Sequence, residues 1–232
     1  MPFWGRGSCH WPSILIIAAH EDCPQLNLYD TSAFLQHVLE RIDPTRDLHF
    51  QTQTTIDTLD YTGSGLNQGS KLIIAAAGNI KRTLPTELTG SVMLPEGFCD
   101  PRVCLPGVLA IRAPAVRVGP HQTDPALEEF CQQVPAESAI GRFPLVVLCD
   151  DSEFCSRTLA NFLWVTFTRS NPAADVSGLG SFVQNKHWGC RSSIVIDARI
   201  KPHMAPPLEP DPQISRHVDR LFVRGGPLHG IG

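Results

Sequence analysis

Apolar positions along this chain form short runs and helical stripes in alternation, and the alternation occurs twice. Ser13 to Ala19 (SILIIAA) is a continuous apolar run, the pattern of a strand buried on both faces of a sheet. Thr31 to Arg41 places Phe34, Leu35, Val38 and Leu39 on one helical face, and Pro44 stops the helix. Leu48 to Thr52 reads as a second strand. Asp57 to Gly69 is rich in turn formers, and Lys71 to Ala77 (KLIIAAA) reads as a third strand. The same order returns later. Phe143 to Cys149 is a strand ending in Asp150 and Asp151, and Thr158 to Arg169 is a helix with Leu159, Phe162, Leu163 and Phe167 inward. Pro172 ends that helix, Gly178 to Arg191 is glycine-rich, and Ser193 to Ala198 is a strand.

The junctions repeat as well. Arg41-Ile42-Asp43-Pro44-Thr45-Arg46-Asp47 returns 128 positions later as Arg169-Ser170-Asn171-Pro172-Ala173-Ala174-Asp175. The expected fold is therefore α/β: two tandem related α/β units with buried strands and covering helices. The units are placed at residues 13–82 and 143–232, the second with a proline-rich extended tail from Lys201 to Pro212 and a short helix from Ile214 to Phe222. Residues 83–142 form a proline-rich connector. It holds one helix, Asp124 to Gln133, with Asp124 as N-cap and Pro125 at the first helical position, and Val108 to Ile111 adds an edge strand. Residues 1–12 are irregular.

Composition narrows the class. The net charge is -4, with the charged residues scattered. No basic stripe points to nucleic acid and no polybasic cluster to anionic lipid. No apolar run approaches the ~20 residues of a membrane span, and the first residues lack a signal-peptide pattern, which places the protein in the cytoplasm. None of the eight cysteines forms a C-x-x-C pair. Buried reduced thiols are the plain reading; a zinc site from Cys190, His187 and His203, or disulfides, are the alternatives.

Candidate chemistry is sparse. Gly63-Ser64-Gly65-Leu66-Asn67-Gln68-Gly69-Ser70-Lys71 fails as a P-loop, because the lysine comes one residue late and a strand follows instead of a helix. Lys71 is still the leading candidate for a phosphate or carboxylate contact, against a plain solvated lysine at a strand start. Asp57 and Asp60 are either paired carboxylates or turn caps. Arg41 with Asp47, and Arg169 with Asp175, are expected to pair and fix the corner after each helix. Lys186-His187-Trp188-Gly189-Cys190-Arg191 is dense in reactive groups. Without a third orienting residue it reads as packing and interface, not a cysteine nucleophile.

The first unit resembles the C-terminal domain of UbiD-like decarboxylases. The matching pieces are Ala18-Ala19-His20-Glu21-Asp22, Glu40 to Asp47, Thr55-Ile56-Asp57-Thr58-Leu59-Asp60 and Gly69-Ser70-Lys71, in family order from Ile14 to Asn79. Leu145 to Pro202 looks like a diverged copy, as in the longer members associated with menaquinone synthesis. The resemblance implies reversible decarboxylation of aromatic or unsaturated acids with prenylated FMN as electron sink. It puts Lys71, with Ser70 and Gly69, at the phosphate end of that cofactor, and aligns Arg191 with Lys71 in the second copy. The family's N-terminal portion, with its flavin-binding split barrel and its metal and catalytic residues, has no counterpart here, so no catalytic or metal residue is carried over. The resulting expectation is an assembly-forming, active-site-closing C-terminal region, inactive alone. It would be part of a homo-oligomer and completed by a separate catalytic subunit or an N-terminal domain. The rivals are a stand-alone binding or scaffold subunit and a small independent enzyme with a new site.

Overall fold

The computed structural model describes residues 13–55, 68–90, 92–204 and 211–230. The first sheet is built from β1 (Ile14–Ala18), β2 (Leu48–Thr54) and β3 (Gly69–Ala76), with α1 (Thr31–Arg41) against it. β3 is central, parallel to β1 and antiparallel to β2. α1 begins where the Asp30 carboxylate accepts the Ala33 N–H at 3.0 Å, and it ends ahead of Asp43-Pro44. Leu35, Val38 and Leu39 of α1 are buried with Leu72, Ile74 and Ala76 of β3. β2 runs two residues past its expected end, through a bulge at Gln53, whose φ is 55°. β1 departs from expectation. Ile14, Ile16 and Ala18 pack on the core, but Ile17 on the other face is 45% exposed.

The second sheet holds β4 (Cys99–Leu105), β5 (Val108–Arg112), β6 (Leu145–Cys149), β7 (Val176–Gly178) and β10 (Ile194–Asp197), in the order β4-β5-β6-β10-β7. The strand expected at an edge, Val108 to Ile111, lies inside the sheet. Pro106-Gly107, with Gly107 at φ 82°, turns the chain back so that β4 takes the edge instead. Segment 83–142 thus supplies two strands of this sheet and α2 (Pro125–Gln133), whose N-cap Asp124 accepts the Ala126 N–H at 2.9 Å. Leu127 and Phe130 of α2 are fully buried. At roughly 1.5–3 kcal/mol for each such side chain, α2 is a structural layer and not a tether.

After β6 the chain forms α3 (Ser152–Arg157) and α4 (Leu159–Thr168). Only α4 was legible as a helix. α3 is short and is started by Asp151, whose carboxylate accepts the Phe154 N–H. Thr158 ends α3 and caps α4. Then come α5 (Pro172–Asp175) and a hairpin of β8 (Phe182–Gln184) and β9 (His187–Gly189), turned by Asn185 and Lys186 at φ 50° and 66°. α6 (Pro212–Phe222) starts at its Asp211 cap, earlier than expected, and buries no residue.

Side chains alternate along the second sheet between two cores. Val108, Ala110, Leu145, Val147, Ile194 and Ile196 join the residues of the first sheet and α4 in one cluster. Leu109, Ile111, Val146, Leu148 and Val195 face the other way, under Leu127, Phe130 and Ile140. The first sheet has the order β1-β3-β2 with parallel and antiparallel pairings; β6-β10-β7 has the same order and the same directions.

Candidate functional site

Each helix-ending corner is held by a carboxylate on a backbone amide. Asp47 accepts the Asp43 N–H at 2.8 Å, and Asp175 accepts the Asn171 N–H at 2.7 Å. The expected ion pairs do not form. Arg41 turns to Glu40 at 3.1 Å and to the His37 carbonyl, and Arg46 takes Asp47 at 2.7 Å. Arg169 meets Asp150 at 3.4 Å, while Asp175 meets Lys201 at 3.3 Å. A buried amide left without a partner costs about 1–3 kcal/mol, more than an arginine gains by moving from one carboxylate to another near water.

Gly69, Ser70 and Lys71 start β3 and are all buried, Lys71 at 6% exposure. The Ser70 hydroxyl donates to the Asn171 side-chain oxygen and accepts the Ala173 N–H at 2.8 Å. Asn171 reaches His121 with its amide nitrogen at 3.1 Å. The head of β3 therefore sits on the α5 corner. The reverse contact also exists. The Cys190 N–H donates to the Pro44 carbonyl at 3.0 Å, and His187 Nε2 donates to the Thr45 carbonyl at 3.0 Å. Trp188 stands edge-on to Phe50 at 5.2 Å. A Cβ on Gly189 would lie 3.0 Å from both the Pro44 and the Thr45 carbonyl oxygens, so the close approach needs glycine there. The Lys186–Arg191 segment is in this way a packing surface. Register corrects one alignment: Leu72 pairs with Ile14 and Phe50 as Ile194 pairs with Leu145 and Gly178, which sets Ser193, not Arg191, at the place of Lys71.

A second polar centre lies at the C-terminal end of β10, and the sequence reading missed it. Arg199, fully buried, donates Nε to Asp197 at 2.8 Å and a terminal nitrogen to the Pro114 carbonyl at 2.6 Å, and it approaches Asp124 at 3.3 Å. Lys201 donates to the carbonyls of Arg169 and Asp197, both at 2.6 Å. Burial pushes the Asp175 carboxyl up to about 6, against the pull of Lys201. Asp124 is also pushed up by burial, but the Arg117 and Ala126 amides and Arg199 hold it below its ordinary value. Every charge here is paired inside the chain, which makes the group a clamp joining three segments. The signal available in sequence was Asp197-Ala198-Arg199-Ile200-Lys201 directly after an apolar run.

The described cysteines are all free thiols. Burial pushes Cys190 up to about 12, and it donates to the Ser193 carbonyl at 3.5 Å. Cys155 touches Cys104 and Cys149. Hydrogen bonds from those two thiols lower it, while hydrogen bonding to Cys155 and then burial raise both of them. All three are at least partly buried. Among the described residues no group of three His, Cys, Asp or Glu side chains could hold a metal, and Cys190, His187 and His203 do not converge. Asp57, Asp60, Gly63 and Gly65 lie outside the described residues.

For a flavin phosphate the described head of β3 carries Lys71 beside a Ser70 hydroxyl already shared with Asn171 and Ala173. That is not a complete cradle: among the described residues no group of three His, Cys, Asp or Glu side chains could hold a metal beside it.

Residues 1–76 match the model of the 3-octaprenyl-4-hydroxybenzoate carboxy-lyase C-terminal domain. The chain is 32% identical over 192 residues to a 4-hydroxybenzoate decarboxylase subunit of Chlamydia pneumoniae, covering 82% of this chain and 30% of that protein. It is also 32% identical over 212 residues to an uncharacterised protein of Chlamydia caviae, covering 89% of this chain and 33% of that one. The chain thus spans about a third of the length of these relatives. A solved vanillic acid decarboxylase of Sedimentibacter hydroxybenzoicus aligns at 18% identity with a TM-score of 0.33, over 50% of this chain and 26% of that one, too slight a likeness to carry an argument. No described helix is long and apolar enough to cross a membrane. On the match to the carboxy-lyase domain, residues 1–76 of this α/β chain belong to the C-terminal-domain region of the UbiD-like decarboxylase family, and the similarity to the Chlamydia pneumoniae protein extends over 82% of the chain.

Proposed function

We propose that the chain is the C-terminal assembly and active-site-closing region of a prenylated-FMN-dependent decarboxylase for aromatic or unsaturated carboxylic acids, and that it is inactive alone. The observation that carries this is the 32% identity across 82% of the chain to a decarboxylase subunit that is about three times as long. The polar groups fit the reading: the charges at the end of β10 are consumed internally. Within this proposal Lys71 meets the phosphate end of the cofactor once the remaining polypeptide is in place, with Gly69 and Ser70 fixing the strand start against the α5 corner. Homo-oligomerisation, a separate catalytic subunit or N-terminal domain as partner, and a place in quinone biosynthesis belong to the same reading. So does a reducing, cytoplasmic setting, which the seven free cysteines among the described residues support. We also infer that the two units arose from one duplicated module; their shared strand order and matching carboxylate caps support this.

The test is carbon dioxide release from 4-hydroxybenzoate with prenylated FMN supplied. The chain alone is expected to give none. A polypeptide in which it replaces the matching segment of the Chlamydia pneumoniae protein is expected to turn over. Release by the chain alone would overturn the proposal.

A further inference from the structure

The two sheets differ in one respect that their common order makes plain. In the second, the outer edge of β6 is taken by β5, parallel, with Val108 opposite Leu145 and Ile111 opposite Leu148. The face carrying Val146, Leu148 and Val195 lies under Leu127, Phe130 and Ile140. In the first, β1 stands where β6 stands, and among the described residues nothing pairs with its outer edge. Its other face is only partly covered. Leu15 and Ile17 lie opposite Ile73 and Ala75 of β3, with Ile17 45% exposed and the other three half-buried. Alternation along β3 puts Lys71 on this same face, at its end, where Ser193 of the second sheet donates to the Ile140 carbonyl at 3.3 Å.

Edge strands that end a sheet are normally blunted by a lysine, a proline or a bulge. β1 reads Ile-Leu-Ile-Ile-Ala, with none of these and in regular register with β3. It has the sequence of an inner strand.

We propose that this edge and face form the docking site for an extended, uncharged, β-branched segment of the decarboxylase polypeptide that this chain does not span. The segment adds to β1 in parallel, as β5 adds to β6, and brings an apolar cover onto Leu15, Ile17, Ile73 and Ala75. The inference rests on the family reading above and gives it an attachment point. The chain covers only 30% of its Chlamydia pneumoniae relative, so ample polypeptide exists to supply the segment. A second copy of the chain is a poorer occupant, since edges meeting about a two-fold axis run antiparallel and would not reproduce the β5–β6 arrangement. Docking here also brings the remaining polypeptide to the side of the sheet on which Lys71 lies.

The probes are overlapping synthetic peptides covering the Chlamydia pneumoniae protein outside its 192 matching residues. Binding to the 232-residue chain is read by fluorescence polarisation, and hydrogen exchange is followed at Ile14–Ala18. One contiguous set of peptides is expected to bind and to slow exchange at β1 at least tenfold. Ile17→Glu, at an exposed position the fold tolerates, is expected to weaken binding at least tenfold, and Ile17→Lys likewise. Val218→Glu on α6 leaves it within twofold. Binding without β1 protection, or binding indifferent to both Ile17 variants, would overturn the site while leaving the decarboxylase reading in place. Absence of any binding peptide overturns the site, and the turnover experiment then judges the family reading separately. Concentration-dependent protection of β1 in the chain alone would make a second copy the occupant and also overturn the proposal.

Discussion

Ser70 and Asn171, 101 positions apart in sequence, share a buried hydrogen bond across the seam between the two sheets. The same hydroxyl accepts the Ala173 N–H. A serine at the head of one buried strand therefore satisfies the corner that follows the helix of the other unit. Ser70→Ala leaves the buried Asn171 side-chain oxygen without this donor. It is expected to lower unfolding free energy by about 1–3 kcal/mol, read from urea denaturation with an unchanged m-value.

Gly189→Ala tests the reciprocal contact. The added methyl would stand 3.0 Å from the Pro44 and Thr45 carbonyl oxygens, which are backbone atoms and cannot swing aside. The melting temperature is expected to fall by several degrees. Gly119→Ala, where a Cβ meets nothing within 4 Å and φ is ordinary, is the matched control and is expected to be neutral or to stabilise by about 0.4–1 kcal/mol.

Arg199→Met removes the partner of two buried carboxylates, Asp197 and Asp124. A loss of about 3–5 kcal/mol is expected by chemical denaturation. Arg199→Lys keeps the charge but cannot span Asp197, Asp124 and the Pro114 carbonyl at once, so it is expected to recover only part of that loss.

The pH dependence of stability carries a signature of Asp175. Burial raises its carboxyl from 3.8 to about 6, so folding favours the protonated form. The resulting stabilisation is fully present below pH 3.8, fades as pH climbs toward about 6, and is absent above. Relative to Asp175→Asn, the unsubstituted chain is expected to lose on the order of 3 kcal/mol across that window. Denaturation of both proteins at several pH values checks it; parallel curves would count against the assignment.

The sequence made some of this legible for identifiable reasons. α1 and α2 carry a helical stripe together with a proline limit or an Asp-Pro start, so pattern and punctuation agree. β5 was legible as a strand but misplaced at an edge, because an apolar run of that length does not say what lies on either side of it. The Arg41–Asp47 pairing misled for a related reason. Opposite charges suggest a pair, yet the nearer demand on Asp47 is the Asp43 amide, which only the folded corner exposes. The Asp124–Asp175–Asp197–Arg199–Lys201 clamp draws on three distant segments, and no local pattern marks their meeting. That no described strand pairs with the outer edge of β1 was hidden as well: five apolar residues look the same whether or not a neighbour lies beside them.

The single core shared by both sheets has a consequence for how the protein is made. Leu35, Leu72 and Ile74 close against Phe162 and Ile196, which leave the ribosome many tens of residues later. At ordinary elongation speeds the early half waits on the order of ten seconds with its apolar side uncovered. The first unit is thus open to chaperones in that interval, and it gains its full stability only once the second unit has been made.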